Sequence, residues 1–357
     1  MRMFQSNRFR INRRKFIQYG SLAVSTGILA ACTSESAIEQ SATEPADSDA
    51  AGPQALDPVT VGTSWYAQAE HGGYYQAKAT GIYEEYGLDV TIRQGGPDVN
   101  GTQLLMGGVT DFQTGYSLSS LNAVREGIPL VTVAAMMQKD PQTLVVHDGV
   151  YDQLSELKAA PIRVPTAGRV AYWPWLKAEY GFTDEQLRPY DYSFATFLEN
   201  EDMAQQGYIT NDGYFLEKAG AEAESILLAD NGWGAYAYTI DTTRRLIDEN
   251  PDLVQRFVDA TIAGYESYLE DPEPGNALIK AENEEQSDQL MAFSLDKFDE
   301  YGIFRSGDAL DHGLGTMSQE RWQRFFDKMV EAGVLPADLD FKQAYTLQFV
   351  DHPGSAT

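Results

Sequence analysis

Cysteine is almost missing from this chain: Cys32 is the only thiol in 357 residues. An intramolecular disulfide and a cysteine-rich metal centre are therefore excluded. Histidine is scarce too, with His71, His147, His312 and His352 scattered and none at metal-ligand spacing such as HExxH. Neither a Walker loop nor GxGxxG nor the GxSxG nucleophile elbow occurs, so neither catalytic residue nor cofactor is expected. Positive charge is in short supply: 26 Lys and Arg stand against 53 Asp and Glu, a net charge of −27. Such a polyanion is repelled by nucleic acid, which excludes that class of partner. Long apolar runs are lacking, since the stretch from Ser21 to Ala31 falls short of the roughly 20 residues that span a bilayer.

That apolar stretch follows a basic segment with paired arginines, Arg13 and Arg14, and ends in Leu29-Ala30-Ala31-Cys32. A basic region, a short apolar region and small residues before a cut site make a signal peptide. The paired arginines resemble a twin-arginine export signal, and the tetrapeptide resembles a bacterial lipobox, whose cysteine is lipidated. Residues 1–31 are thus expected to be a signal peptide and Cys32 the anchor. Residues 32–57, rich in Ser, Ala, acids and Pro without apolar periodicity, are expected to be a disordered tether.

From Pro58 onward strand and helix patterns alternate. "VTVGT", "LDVTIR", "DFQTG", "TLVVH" and "QGYIT" read as strands, and "GGYYQAKATGIYEEYG", "SLSSLNAVREG" and "GYFLEKAG" as helices, the first stopped by Gly87. This order predicts α/β architecture with mainly parallel sheets. The last hundred residues are mostly helical, with Pro251 near a helix start; "QAYTLQFV" is expected to be a closing strand. Two similar lobes are expected, residues 58–147 with 231–357 and residues 148–230, with a ligand cleft between them.

Aromatic residues are plentiful and fall after strands: Trp65, Tyr66, Tyr116, Tyr172, Trp173 and Trp233. In open α/β sheets ligands bind beyond the carboxyl ends of strands, so these rings are candidates for stacking on a flat ligand. Polar residues share the same loops: Glu70, His71, Gln94, Asn100, Ser117, Gln138, Arg169, Asn211 and Asp212. Asn100, Ser117 and Asp212 read equally well as helix N-caps.

The segments "HGGYYQAKATGIYEEYGLDVTIRQGG", "VTDFQTG", "QKDPQTLVVH" and "QGYITNDGYFLEKAG" resemble the substrate-binding proteins of ABC importers that serve nitrate, sulfonate, taurine and the pyrimidine precursor of thiamine. The resemblance implies a type II periplasmic binding protein: two α/β lobes, a hinge and an interlobe cleft. It further implies a monomer in the periplasm or at the cell surface that hands its ligand to a permease and its ATPase, work that a lipid on Cys32 would suit by holding it to the membrane. In the thiamine-precursor branch a Glu stands where Asp212 stands here, which implies a carboxylate for a nitrogen heterocycle. A small sulfonate, taurine or nitrate anion is the alternative and would call on Arg169. A pyrimidine synthase also resembles this group, but it carries a cysteine-rich run that this chain lacks.

Overall fold

The computed structural model describes residues 55–190 and 192–350. The expected signal peptide, Cys32 and almost all of the expected tether lie outside these residues. Ten strands are formed: β1 (Asp57–Gly62), β2 (Leu88–Arg93), β3 (Phe112–Tyr116), β4 (Leu130–Met137), β5 (Gln142–His147), β6 (Ile162–Arg163), β7 (Leu187–Arg188), β8 (Ala204–Tyr208), β9 (Ala223–Leu227) and β10 (Ala237–Thr243). They make two five-stranded sheets, β2-β1-β3-β10-β4 and β7-β6-β8-β5-β9.

The two sheets share one plan. Three parallel strands are followed by one antiparallel strand, β10 in the first sheet and β5 in the second, and a fifth strand pairs antiparallel to it. The antiparallel member is the strand that has just crossed from the other lobe. Gln138–Pro141 carries the chain from β4 into β5, and Leu228–Tyr236 carries it back from β9 into β10. Residues 142–147, expected in the first lobe, therefore belong to the second sheet. β1 likewise begins at Asp57, the residue assigned to the end of the tether.

Small residues set the first lobe's spacing. The helix Gly72–Ala79 lies so close to the helix Pro251–Glu270 that a Cβ on Gly72 or Gly73 would stand 2.1 Å from the ring of Tyr268 or Tyr265. The helix expected to run on to Tyr86 breaks at Gly81, whose φ of 80° suits only glycine, and resumes at Ile82–Glu85. The expected C-terminal strand is a 3-10 turn, Phe341–Ala344, followed by a single bridge from Tyr345 to Thr132.

The helix Gln319–Glu331 does not belong to one lobe alone. It buries Trp322, Phe325, Phe326 and Met329 in the same apolar cluster as Tyr172, Trp173 and Trp175 of the second lobe. Among the described residues no helix is long and apolar enough to cross a membrane.

The two crossings are bound to each other. Trp233 Nε1 donates to Asp140 Oδ2 at 2.9 Å, and Leu228 N donates to Gln142 O at 3.0 Å. Arg321 braces both from outside. Its Nη1 donates to Gln138 Oε1 at 3.0 Å, its Nη2 to the Gln138 and Ala235 carbonyls, and its Nε to Gly234 O at 3.2 Å. The guanidinium also lies 4.0 Å over the Tyr236 ring. Charge-assisted hydrogen bonds contribute about 1.5–3 kcal/mol. Arg321→Met is accordingly expected to lower unfolding stability by about 2–3 kcal/mol in urea denaturation; an unchanged midpoint would remove Arg321 as a brace.

Candidate functional site between the two sheets

The loops beyond the carboxyl ends of β1, β3, β7 and β8 meet in one gap between the sheets. Three contacts span it: Tyr116 Oη to Tyr208 Oη at 2.9 Å, Trp65 to Tyr192 with ring centroids 5.8 Å apart, and Glu70 to the Thr210-Asn211 pair. The same end of each sheet thus supplies the walls, as open α/β sheets dictate.

The first wall is a folded loop. Thr63 Oγ1 donates to Trp65 O at 2.7 Å, and Gly95 N donates to the same carbonyl at 3.1 Å. Gln94 accepts from Ala67 N at 2.8 Å and donates to Glu282 Oε2 at 2.9 Å, so it shapes the loop that carries Trp65 and Tyr66. Glu70 and His71 follow on the short turn Ala69–His71, which Tyr265 pins by donating to the Glu70 carbonyl at 2.9 Å.

Glu70 is buried, 1% exposed, and its Oε1 accepts from Thr210 Oγ1 and, at 3.4 Å, from Asn211 Nδ2. Burial raises its pKa, and the Thr210 bond only partly opposes this. Asp212 opens the helix Asp212–Lys218 and accepts from Tyr208 N. Burial pushes its pKa up to about 7; the Tyr208 N–H pulls it down and the charge of Glu70 pushes it further up. Neither carboxyl takes part in an ion pair among the described residues.

His71 is neutral, its pKa held down to about 3 by burial. Its Nε2 lies 3.3 Å from Ser64 Oγ and its ring 5.1 Å from that of Tyr238. Tyr238 has a φ of 48° at the irregularity where β10 shifts register, an arrangement that re-aims a side chain. The chamber therefore offers two carboxyl groups, a neutral imidazole, an amide and tyrosine hydroxyls beside aromatic faces.

Of the candidates named from the sequence, Trp65, Tyr66, Glu70, His71, Tyr116, Asn211 and Asp212 come together here. Gln94 shapes the first wall without joining them, and the others are placed elsewhere. Asn100 caps the helix Gly101–Met106 by accepting from Gln103 N at 3.0 Å. Ser117 Oγ accepts from Tyr236 N at 3.1 Å and Gln138 Nε2 donates to Thr316 O at 3.0 Å, both beside the crossings. Arg169 donates to Val164 O at 3.0 Å and Arg188 O at 3.2 Å. Tyr172 and Trp173 are core residues, the latter bound to Asp184 through Nε1, and Trp233 ties the crossings. Sequence reading missed Tyr190, Tyr192, Tyr208 and Tyr238. The first two do follow a strand, but β7 is two residues long and offers no alternation to read.

The family model described as NMT1/THI5 like matches residues 68–274, more than half of the chain. A riboflavin-binding protein of Chloroflexus aurantiacus is 26% identical over 315 residues, covering 84% of this chain and 88% of that protein. A formylaminopyrimidine-binding protein of Halalkalibacterium halodurans is 24% identical over 241 residues, covering 65% and 72% respectively. Among solved structures, the periplasmic aliphatic sulphonate binding protein of Escherichia coli aligns with a TM-score of 0.61 at 14% identity, over 81% of this chain and 91% of that one. A desulfurization enzyme aligns with a TM-score of 0.54 at 14% identity, over 82% and 97%. These two structures speak for the fold alone, and the fold is that of a periplasmic binding protein with two α/β lobes.

The raised pKa of Asp212 carries a sign. Its folded form holds the proton from the ordinary 3.8 up to about 7, so the stability linked to that proton is complete below about pH 4 and lost as pH rises through about 7. Asp212→Asn carries no such titration. Its stability relative to the native chain is expected to improve between pH 4 and pH 8 by up to about 4 kcal/mol, read from denaturant midpoints. A pH-independent difference would contradict the assignment.

Proposed function

Because the chain belongs to the NMT1/THI5-like family, we propose that it is the solute-binding component of an ABC import system and that its interlobe cleft captures a flat nitrogen heterocycle. The observation that carries this reading is the Glu70–Asp212 pair: a buried and a partly buried carboxyl group, one from each lobe at the gap between them, with neither in an ion pair among the described residues. A ring bearing N–H donors supplies what such groups need. Trp65, Tyr66 and Tyr116 give it faces to stack on, and Asn211 and His71 complete its edge.

The relatives named as riboflavin-binding and formylaminopyrimidine-binding proteins support this choice of ligand class. A sulfonate, taurine or nitrate ligand is disfavoured, because Arg169, the cation such a ligand would call on, spends N–H groups on the Val164 and Arg188 carbonyls. We read the chain as a receptor and not an enzyme; the names of the relatives support this, as does a buried, neutral His71. In this account Cys32 carries the lipid that keeps the monomeric receptor beside its permease and ATPase, at the periplasmic or outer cell surface. Ligand binding then shifts the equilibrium between open and closed lobes by its differential affinity for the closed form.

Calorimetric titration with riboflavin, an aminopyrimidine, taurine, an alkylsulfonate and nitrate tests the ligand class. A heterocycle is expected to bind saturably, and Asp212→Ala is expected to weaken it about 10–100-fold through loss of charge-assisted bonds. Saturable binding of an anion alone, indifferent to Asp212→Ala, would overturn the reading.

A further inference from the structure

We propose that Tyr192 sets the size of the ligand, and that the cleft selects a fused multi-ring heterocycle over a single pyrimidine ring. The proposal rests on the heterocycle reading above and goes further by naming a specificity residue.

Aromatic side chains form two sets along the cleft. Tyr238 is buried and acts electrostatically on Glu70, with the partly buried Tyr116 packed on it and Tyr208 joined to Tyr116. Trp65, Tyr66, Tyr190 and Tyr192 form a second set that reaches solvent, Tyr66 being 47% and Tyr192 54% exposed. Trp65 joins this set across the gap, 5.5 Å from Tyr66 and 5.8 Å from Tyr192, and Tyr190 backs Tyr192 at 4.9 Å. The two sets are continuous, because Ser64, the neighbour of Trp65, touches His71, the neighbour of Glu70. A ligand that engages the acids and both sets runs from the buried end of the cleft to its mouth, which is longer than one ring.

Tyr192 is held in place at a conformational cost. Its φ is 60°, a region that bulky residues avoid. Strain of this kind persists where the surroundings over-determine it, and here they do. Arg163 of β6, 3% exposed, donates from Nε to Pro189 O at 3.0 Å and from Nη1 to Ser193 O at 2.6 Å, gripping the loop on both sides of Tyr192. The same guanidinium lies 5.2 Å over the Tyr190 ring. The ring meets Trp65 and Tyr190 but stays half open to solvent, so burial in a core does not explain the strain. Sandwiching a flat ligand between Trp65 and Tyr192 takes a separation of about 7 Å, two carbon contacts of about 3.5 Å, so the gap has to widen slightly from 5.8 Å and the rings, tilted by 42°, have to turn parallel.

The test compares riboflavin, with three fused rings, and a single-ring aminopyrimidine on the native chain, Tyr192→Ala, Tyr192→Phe and Tyr192→Gly. Riboflavin is expected to bind at least about tenfold more tightly than the aminopyrimidine, and Tyr192→Ala to weaken riboflavin about 10–100-fold, as loss of one stacking partner does. Tyr192→Phe keeps the affinity, and the aminopyrimidine changes less than about threefold in every variant. Tyr192→Gly relaxes the positive φ, so its melting temperature is expected to be maintained or raised while riboflavin is lost; this separates binding from folding. Riboflavin affinity indifferent to Tyr192→Ala and Tyr192→Gly, or an aminopyrimidine that binds as tightly as riboflavin, overturns the proposal while leaving the heterocycle receptor standing. A native chain that binds neither probe overturns both.

Discussion

A carboxyl group taken out of water without a cation partner has to be neutralised or saturated with donors, and Glu70 is in that position between the two lobes. Its donors, Thr210 and Asn211, come from the opposite lobe, so the group that most needs partners is also the one that joins the walls. Much of the architecture serves to put it there. Gly72 and Gly73 let the first helix sink against Tyr265 and Tyr268, and Tyr265 in turn holds the Glu70 carbonyl. The second lobe answers with Asp212 at the start of a helix, where the charge of Glu70 adds to the burial that already favours the neutral acid. The result is a pair of carboxyl groups, one from each lobe, each pushed toward its neutral form by burial.

The hinge follows a different physical logic. Two crossing segments have to bend relative to the lobes while staying in register with one another, and their mutual hydrogen bonds, Trp233 to Asp140 and Leu228 to Gln142, supply that register. Arg321 adds a fixed fork that reaches carbonyls of both segments, a task for which guanidinium geometry is suited. The helix that bears it is packed into the aromatic cluster of the second lobe.

The alternating apolar pattern made the α/β class and most strands legible, because period-2 and helical spacing follow directly from which face is buried. Lobe boundaries were harder: "TLVVH" reads as a strand in either lobe, and only pairing with β8 and β9 assigns it. The acid chamber was legible in part, since Glu70 and Asp212 stand in loops beyond strands. Asn100, Trp173 and Trp233 follow strand-like segments in the same way, yet one caps a helix, one packs in the core from within the helix Tyr172–Tyr180 and one ties the crossings. Local sequence carries no signal that distinguishes a ring facing a cleft from a ring facing a core. Tyr192 escaped notice because its meaning lies in a backbone angle and in an arginine 29 positions upstream, Arg163.

Mass spectrometry of small molecules released by denaturing gently purified protein lets the cleft report its own choice of ligand. The account predicts a ring compound bearing N–H donors, present in the native protein and depleted in a Glu70→Gln, Asp212→Asn double variant. A sulfonate or another strong anion released equally from both proteins would contradict it.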